Sequence, residues 1–200
     1  MPIISKKYKF IVLMNPKCGS FFLKKNLIKF HDWGHYLPRH ITANRLKHQH
    51  IEKEGLNWDD FTVISVVREP FSRIISSCKQ NSHDGYKEIN EYIKIGRTRH
   101  FYGFDQFHCD KDNKCLVDVI YDLKSIDEMI HVLKLLNVPI RGFRLVKKRG
   151  DWQQNHLFNQ TIDDINNTSK EILRNKFKYD FAFYENKLKY LKNEKIDIIN

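Results

Sequence analysis

The 200-residue chain lacks an apolar run long enough to cross a membrane. The stretch MPIISKKYKFIVLM near its start is too short for a span, and no small-residue cleavage site follows a long apolar core. Neither a signal peptide nor an anchor is therefore expected, and the expected location is the cytoplasm. The acceptor patterns Asn159-Gln-Thr161 and Asn166-Asn-Thr168 would then never meet the glycosylation machinery. Paired cysteines are also missing. Cys18, Cys78, Cys109 and Cys115 are irregularly spaced and form no C-x-x-C, which argues against both a zinc ribbon and a disulfide scaffold and makes reduced thiols the default. Cys109 and Cys115 flank DKDNK, a turn-like stretch, so a bridge across a hairpin stays open as an alternative. Zinc held by His108, Cys109 and Cys115, or by His48 and His50, fits no common ligand spacing. No metal is expected. Internal repeats and low-complexity segments are absent as well.

What the chain has in quantity is positive charge. Lys and Arg number 35 against 24 Asp and Glu, a formal net charge of +11, which favours a polyanionic partner: nucleic acid, phosphate ester, sulfated sugar or acidic membrane. Hydrophobic residues make up 41%, enough for one domain with a core.

Alternation of strands and helices predicts an α/β fold, a three-layer domain over residues 1–200 with a central parallel sheet. Tyr8 to Met14 reads as a buried strand, followed by a helix with Leu23, Leu27 and Phe30 on one face. Thr42 to Glu54 is a polar helix with Thr42 placed to cap it and Gly55 to stop it. FTVISVV, Phe61 to Val67, is the clearest strand, and Pro70 then opens a helix. CLVDVIYD reads as a further strand. SIDEMIHVLKLLN reads as a helix opened by the capping box Ser125-x-x-Glu128, and Thr168-x-x-Glu171 marks a second box near the end.

In such a sheet ligands collect where strands end and helices begin. Asn15 to Ser20 occupies one such corner: Gly19 permits close backbone approach, Ser20 offers a hydroxyl and Lys17 a full charge. This is not a Walker A loop, because the leading glycine is missing and the lysine precedes Gly19. A second corner follows in VVREPFSRIISSC, where Arg68 and Ser76 suit one phosphate held between a guanidinium fork and a hydroxyl at a helix start.

Pro-Lys-Cys-Gly-Ser at 16–20 and Arg-Glu-Pro-x-x-Arg-x-x-Ser at 68–76 resemble the two signature sites of sulfotransferases that use 3'-phosphoadenosine 5'-phosphosulfate (PAPS). RHITANRL, DNKCLVDVIYDLKSIDEMIHVLKLLNV and YDFAFYENK also resemble segments of the carbohydrate branch, the heparan and chondroitin sulfotransferases. The resemblance implies a sheet with helices on both faces, related to P-loop nucleotide kinases. It implies that Lys17, Cys18, Gly19, Ser20, Phe21 and Phe22 surround the 5'-phosphosulfate and that Arg68 and Ser76 bind the 3'-phosphate, with Arg73 bracing the helix. Phe21 and Phe22 stand where the family usually has Ser or Thr, which removes hydroxyls and leaves backbone N–H donors. Lys147 to Gln153 resembles a shortened form of the loop that covers the nucleotide in cytosolic relatives, which makes Arg149 and Gly150 further candidates beside a surface-loop reading.

Sulfuryl transfer needs a group to stabilise the leaving phosphate, a task suited to Lys17, and a base for the acceptor hydroxyl. Among ten histidines His40, in HITA, stands where the carbohydrate branch often carries its base; His35 is the fallback. His31, His48, His83, His100 and His131 have no motif context. The expected partner is a hydroxyl acceptor, a sugar or anionic glycan, contacted in part by Ile89 to Phe107 with Arg97, Arg99 and His100. No nucleic acid is expected, and the oligomeric state is not legible. Two other classes remain open: a small-molecule kinase of related fold and a non-catalytic basic module binding nucleic acid.

Overall fold

A computed structural model describes residues 1–81, 88–96, 102–140 and 159–199. The protein is α/β, with a mixed, mostly parallel sheet in the order β1-β2-β3-β4. These strands are β1 (Ile3–Ser5), β2 (Phe10–Leu13), β3 (Thr62–Val67) and β4 (Val119–Asp122). β2, β3 and β4 run parallel, with Ile11 opposite Val63 and Ser65 opposite Ile120, while β1 pairs antiparallel to β2. The wholly parallel expectation is thus corrected at one edge. The Lys6–Lys9 turn is stabilised by the Asp32 carboxylate, which accepts the N–H groups of Lys6 (2.6 Å) and Lys7 (3.0 Å). That partner lies too far along the chain to mark a hairpin in the sequence.

Both faces of the sheet are covered, in keeping with an all-apolar β2 and a β3 whose polar residues are only Thr62 and the buried Ser65. On one face Ile11, Leu13, Val63 and Val67 pack with Trp58, with Ala43 and Leu46 of α2 (Ala43–Leu46), and with Phe104 and Phe107 of α5 (Phe104–His108). On the other, Phe10, Val12, Ile64 and Val66 pack with Leu23 and Leu27 of α1 (Ser20–Leu27) and with Met129 and Leu133 of α6 (Met129–Leu135). A third cluster joins Ile74 and Cys78 of α3 (Pro70–Asn81) to α4 (Ile89–Lys94) and α7 (Asn167–Lys176). α8 (Lys178–Tyr184) and the pair β5 (Leu188–Lys189) and β6 (Asp197–Ile198) complete the described α-helices and strands.

Several element ends differ from expectation. β4 starts only at Val119, since the Asp118 carboxylate accepts the Val63 N–H (2.7 Å) and an ammonium N–H of Lys192 (3.1 Å). Neither capping box forms. Asp122 caps the 3-10 turns before α6 by accepting the Lys124 N–H (2.6 Å), and Ser125 lies inside them with non-helical angles. Asn166, two residues before the expected cap Thr168, caps α7 through the Ser169 N–H (2.8 Å). Thr42 caps α2 and Gly55 ends that region at φ 74, but between them α2 passes into a π turn and then a 3-10 turn. Among the described residues no helix is long and apolar enough to cross a membrane.

Candidate functional site

After β2 the chain turns at Asn15-Pro16-Lys17-Cys18, closed by the Cys18 N–H on the Asn15 carbonyl (3.3 Å). Pro16 presets the second position, and Lys17 takes φ 62, a left-handed value that side chains other than glycine seldom adopt. Gly19 follows at φ 78 as the residue before α1, and a Cβ there would stand 2.7 Å from Leu123 Cδ1. α1 has no side-chain cap. Its first N–H groups therefore present the positive end of the helix to this turn.

The second corner meets the first. Arg68, just past β3, donates to the Lys17 carbonyl at 3.5 Å, and the Lys17 ammonium donates to Gln80 Oε1 on α3. Ser76 is half-buried one helical turn before Gln80, so it shares the α3 face that Lys17 reaches. Burial, then the charges of Arg68 and Arg39, pull the Lys17 ammonium down to about 8. Each charge that lowers it is itself a cation, so an anion at this corner would relieve the repulsion.

The start of α3 is less receptive than the sequence suggested. The Glu69 carboxylate accepts the N–H groups of Phe71 (2.9 Å) and Ser72 (2.7 Å), so the helix is capped by its own chain. An anion here must rest on side chains. An open cleft of about 470 Å³ runs beside them, lined by Arg68, Ser72, Ile75 and Lys79 on one wall and by residues 160–163 on the other.

Arg73, 2% exposed, fastens the arrangement from beneath. Its guanidinium donates to the Pro16 carbonyl (3.1 Å), Asn15 Oδ1 (2.8 Å), the Tyr102 carbonyl (3.1 Å) and Asp180 Oδ1 (3.2 Å). Asp180 Oδ2 accepts the Phe104 N–H (2.7 Å). Burial pushes the Asp180 carboxyl up while the Arg73 charge opposes it. Arg73 thus ties α3, the Asn15–Lys17 turn and α8 together.

His40 lies beside the same turn. Its Nδ1 is 2.7 Å from the Met14 carbonyl oxygen. A carbonyl only accepts, so Nδ1 carries the hydrogen and Nε2 is the proton-accepting nitrogen. His35 is exposed and pairs through Nε2 with Glu54 Oε1 (2.8 Å). His108 is wholly buried, donates from Nδ1 to the Phe104 carbonyl (2.9 Å) and accepts the Ser65 hydroxyl at Nε2 (2.8 Å). Burial lowers it to about 3, so it is a neutral core residue.

The structure therefore brings Lys17, Gly19, Ser20, Arg68, Ser76 and His40 to one end of the sheet. The Cys18 thiol instead turns into the core, donating to the Pro16 carbonyl (3.3 Å), and burial pushes it up to about 11. Phe21 is 69% exposed on the first turn of α1, while Phe22 packs against the core of that face. Arg149 and Gly150 lie outside the described residues, as do His83, Arg97, Arg99 and His100. Sequence reasoning missed Gln80, Arg39 and Lys79. Gln80 alone had a local signal, its place one turn beyond Ser76.

Compared with models of known protein families, with curated proteins and with solved structures, the chain matches none.

Proposed function

We propose that this protein is a sulfotransferase that moves the sulfuryl group of PAPS to a hydroxyl on a carbohydrate, and that its sheet is the core of the three-layer, P-loop nucleotide-kinase-like fold of that family. One observation carries the reading: the turn bearing Lys17 and Gly19 meets Arg68 and the Ser76 face of α3, so cations from two separate corners converge beside an uncapped helix start. A small ligand bearing more than one anionic group suits that layout.

In this reading Gly19, Ser20 and the N–H groups of Phe21 and Phe22 hold the 5'-phosphosulfate. Arg68 and Ser76 hold the 3'-phosphate. The acceptor oxygen attacks sulfur as the bond from sulfur to the 5'-phosphate oxygen breaks. The acceptor proton passes to His40 Nε2, and adenosine 3',5'-bisphosphate departs with its new charge facing Lys17. The hydrogen bond from His40 Nδ1 to Met14 fixes the tautomer that this step requires. The net charge of +11 favours an anionic glycan as acceptor.

The test is nucleotide selectivity followed by transfer. Adenosine 3',5'-bisphosphate should raise the melting temperature where ATP with magnesium does not, and labelled PAPS should pass label to at least one glycan. Stabilisation by ATP and magnesium alone would replace the proposal with a kinase.

A further inference from the structure

The chain between α5 and β4 sets two cysteines face to face. Cys109 and Cys115 pair across a short antiparallel bridge. It is bounded by the Asp110 N–H on the Lys114 carbonyl (2.9 Å) and the Leu116 N–H on the His108 carbonyl (2.8 Å). Because those bonds fall on the flanking residues, the cysteines form a non-hydrogen-bonded pair, the closer of the two antiparallel arrangements, with Cα atoms about 4.5 Å apart. A disulfide spans Cα separations of about 4.4–6.8 Å.

The backbone on both sides is already held. The Asp110 carboxylate accepts the N–H groups of Asp112 and Lys114, each at 2.9 Å, and Asn113 completes the turn at φ 65. From the other side Cys115 donates to the Glu194 carbonyl (2.8 Å) and accepts the Asn193 N–H (2.7 Å). Both thiols are free and buried. They also contact each other: the hydrogen bond between them raises Cys109 and lowers Cys115, with the Lys192 charge helping to lower Cys115. Cys115 is thus the more readily ionised partner. Cys18 and Cys78 sit in two other core clusters, away from this pair.

We propose that Cys109 and Cys115 are a redox modification site that a small-molecule disulfide such as oxidised glutathione converts into an intramolecular bridge beneath the Asp110–Lys114 turn. The Cys115 thiolate attacks one glutathione sulfur, a Cys115–glutathione bond forms, and one glutathione thiolate leaves. Cys109 loses its proton and attacks the Cys115 sulfur of that mixed disulfide, forming the bridge and releasing the second glutathione. Two protein thiols are oxidised and one glutathione disulfide is reduced to two thiols. Entry requires brief opening of the turn, whose residues Lys111, Asp112 and Lys114 are exposed. The site is independent of the function proposed above.

The experiment incubates the native full chain in glutathione mixtures from fully reduced to fully oxidised, blocks free thiols and maps tryptic peptides by mass. Trypsin cuts after Lys111 and Lys114, between the two cysteines, so the bridge leaves two peptides joined. The expected result is a linked Cys109–Cys115 pair, with Cys18 and Cys78 blocked only after denaturation, and a melting temperature about 5 °C higher that thiol reductant reverses. Cys109→Ser and Cys115→Ser should each abolish that shift. Thiols that stay reduced under fully oxidised glutathione, glutathione retained on a single cysteine, a different pairing, or a lowered melting temperature on bridging would each overturn the proposal. The mapping uses the unmodified chain, so it decides the matter even where a serine variant fails to fold.

Discussion

Exchanging Lys17 for arginine separates the charge of this residue from its capacity to lose a proton. The ammonium sits at about 8 against an ordinary 10.5 because burial and the neighbouring Arg68 and Arg39 disfavour the charged form. A bound anion removes much of that repulsion and favours the ammonium, so ligand binding should draw a proton onto Lys17. The sign follows: affinity for adenosine 3',5'-bisphosphate is full below pH 8 and falls as pH rises, because an increasing share of the free protein must be protonated before the anion is held. About half a proton should be taken up per ligand at pH 8, and affinity at pH 9 should be about tenfold weaker than at pH 7. The ligand's own phosphates ionise below this window, with second pKa values of about 6. The Cys18 thiol, at about 11, titrates above it. Calorimetric titrations at pH 8 in two buffers of different ionisation enthalpy count the protons directly. Lys17→Arg should keep binding while losing both the proton uptake and the pH dependence. Tight binding by the unmodified protein with no proton uptake at pH 8 and equal affinity at pH 7 and 9 would refute the electrostatic argument without touching the nucleotide assignment.

Four other outcomes are expected. Arg68→Ala and Ser76→Ala should weaken adenosine 3',5'-bisphosphate far more than adenosine 5'-monophosphate; equal losses in a titration would remove the second motif from the 3'-phosphate. His40→Ala should leave bisphosphate affinity nearly unchanged while cutting sulfate transfer by roughly 10²-fold to 10⁴-fold, and near-normal transfer would show that the base is another group. Arg73→Met should cost about 3–5 kcal/mol in denaturant unfolding, since the Asp180 carboxylate is left buried without its cation, and adding Asp180→Asn should restore part of it; a loss within about 0.5 kcal/mol would mean the network is incidental. His108 has a folded value of about 3 against an ordinary 6.5, so the stability it supplies is complete above pH 6.5 and declines as pH falls toward 3. About 2 kcal/mol should vanish from this source between pH 7 and pH 5, and His108→Gln should flatten the stability profile by that amount; superimposable profiles would contradict the assignment.

The sequence by itself determined the parts that neighbours within a few residues decide. β2 and β3 follow from short apolar runs, the Thr42 cap and Gly55 stop from local hydrogen bonding and backbone freedom, and the corner at Asn15–Gly19 from proline and glycine placement. The same local logic misplaced two helix starts, because Asp122 and Asn166 competed for roles that Ser125 and Thr168 also fit. Only the tertiary structure decided what the corner can do. Lys17 meets Gln80 across 63 residues, and Arg73 meets Asp180 across 107, contacts that depend on how α3 and α8 pack against the turn. Glu69 closing the start of α3, Cys18 turning inward and Cys109 facing Cys115 are likewise outcomes of packing. The proton affinity of Lys17 is the sharpest case: residue identity sets its ordinary value, but burial and the distance to Arg68 and Arg39 set the shift, and neither solvent exposure nor separation in space is written in the order of the residues.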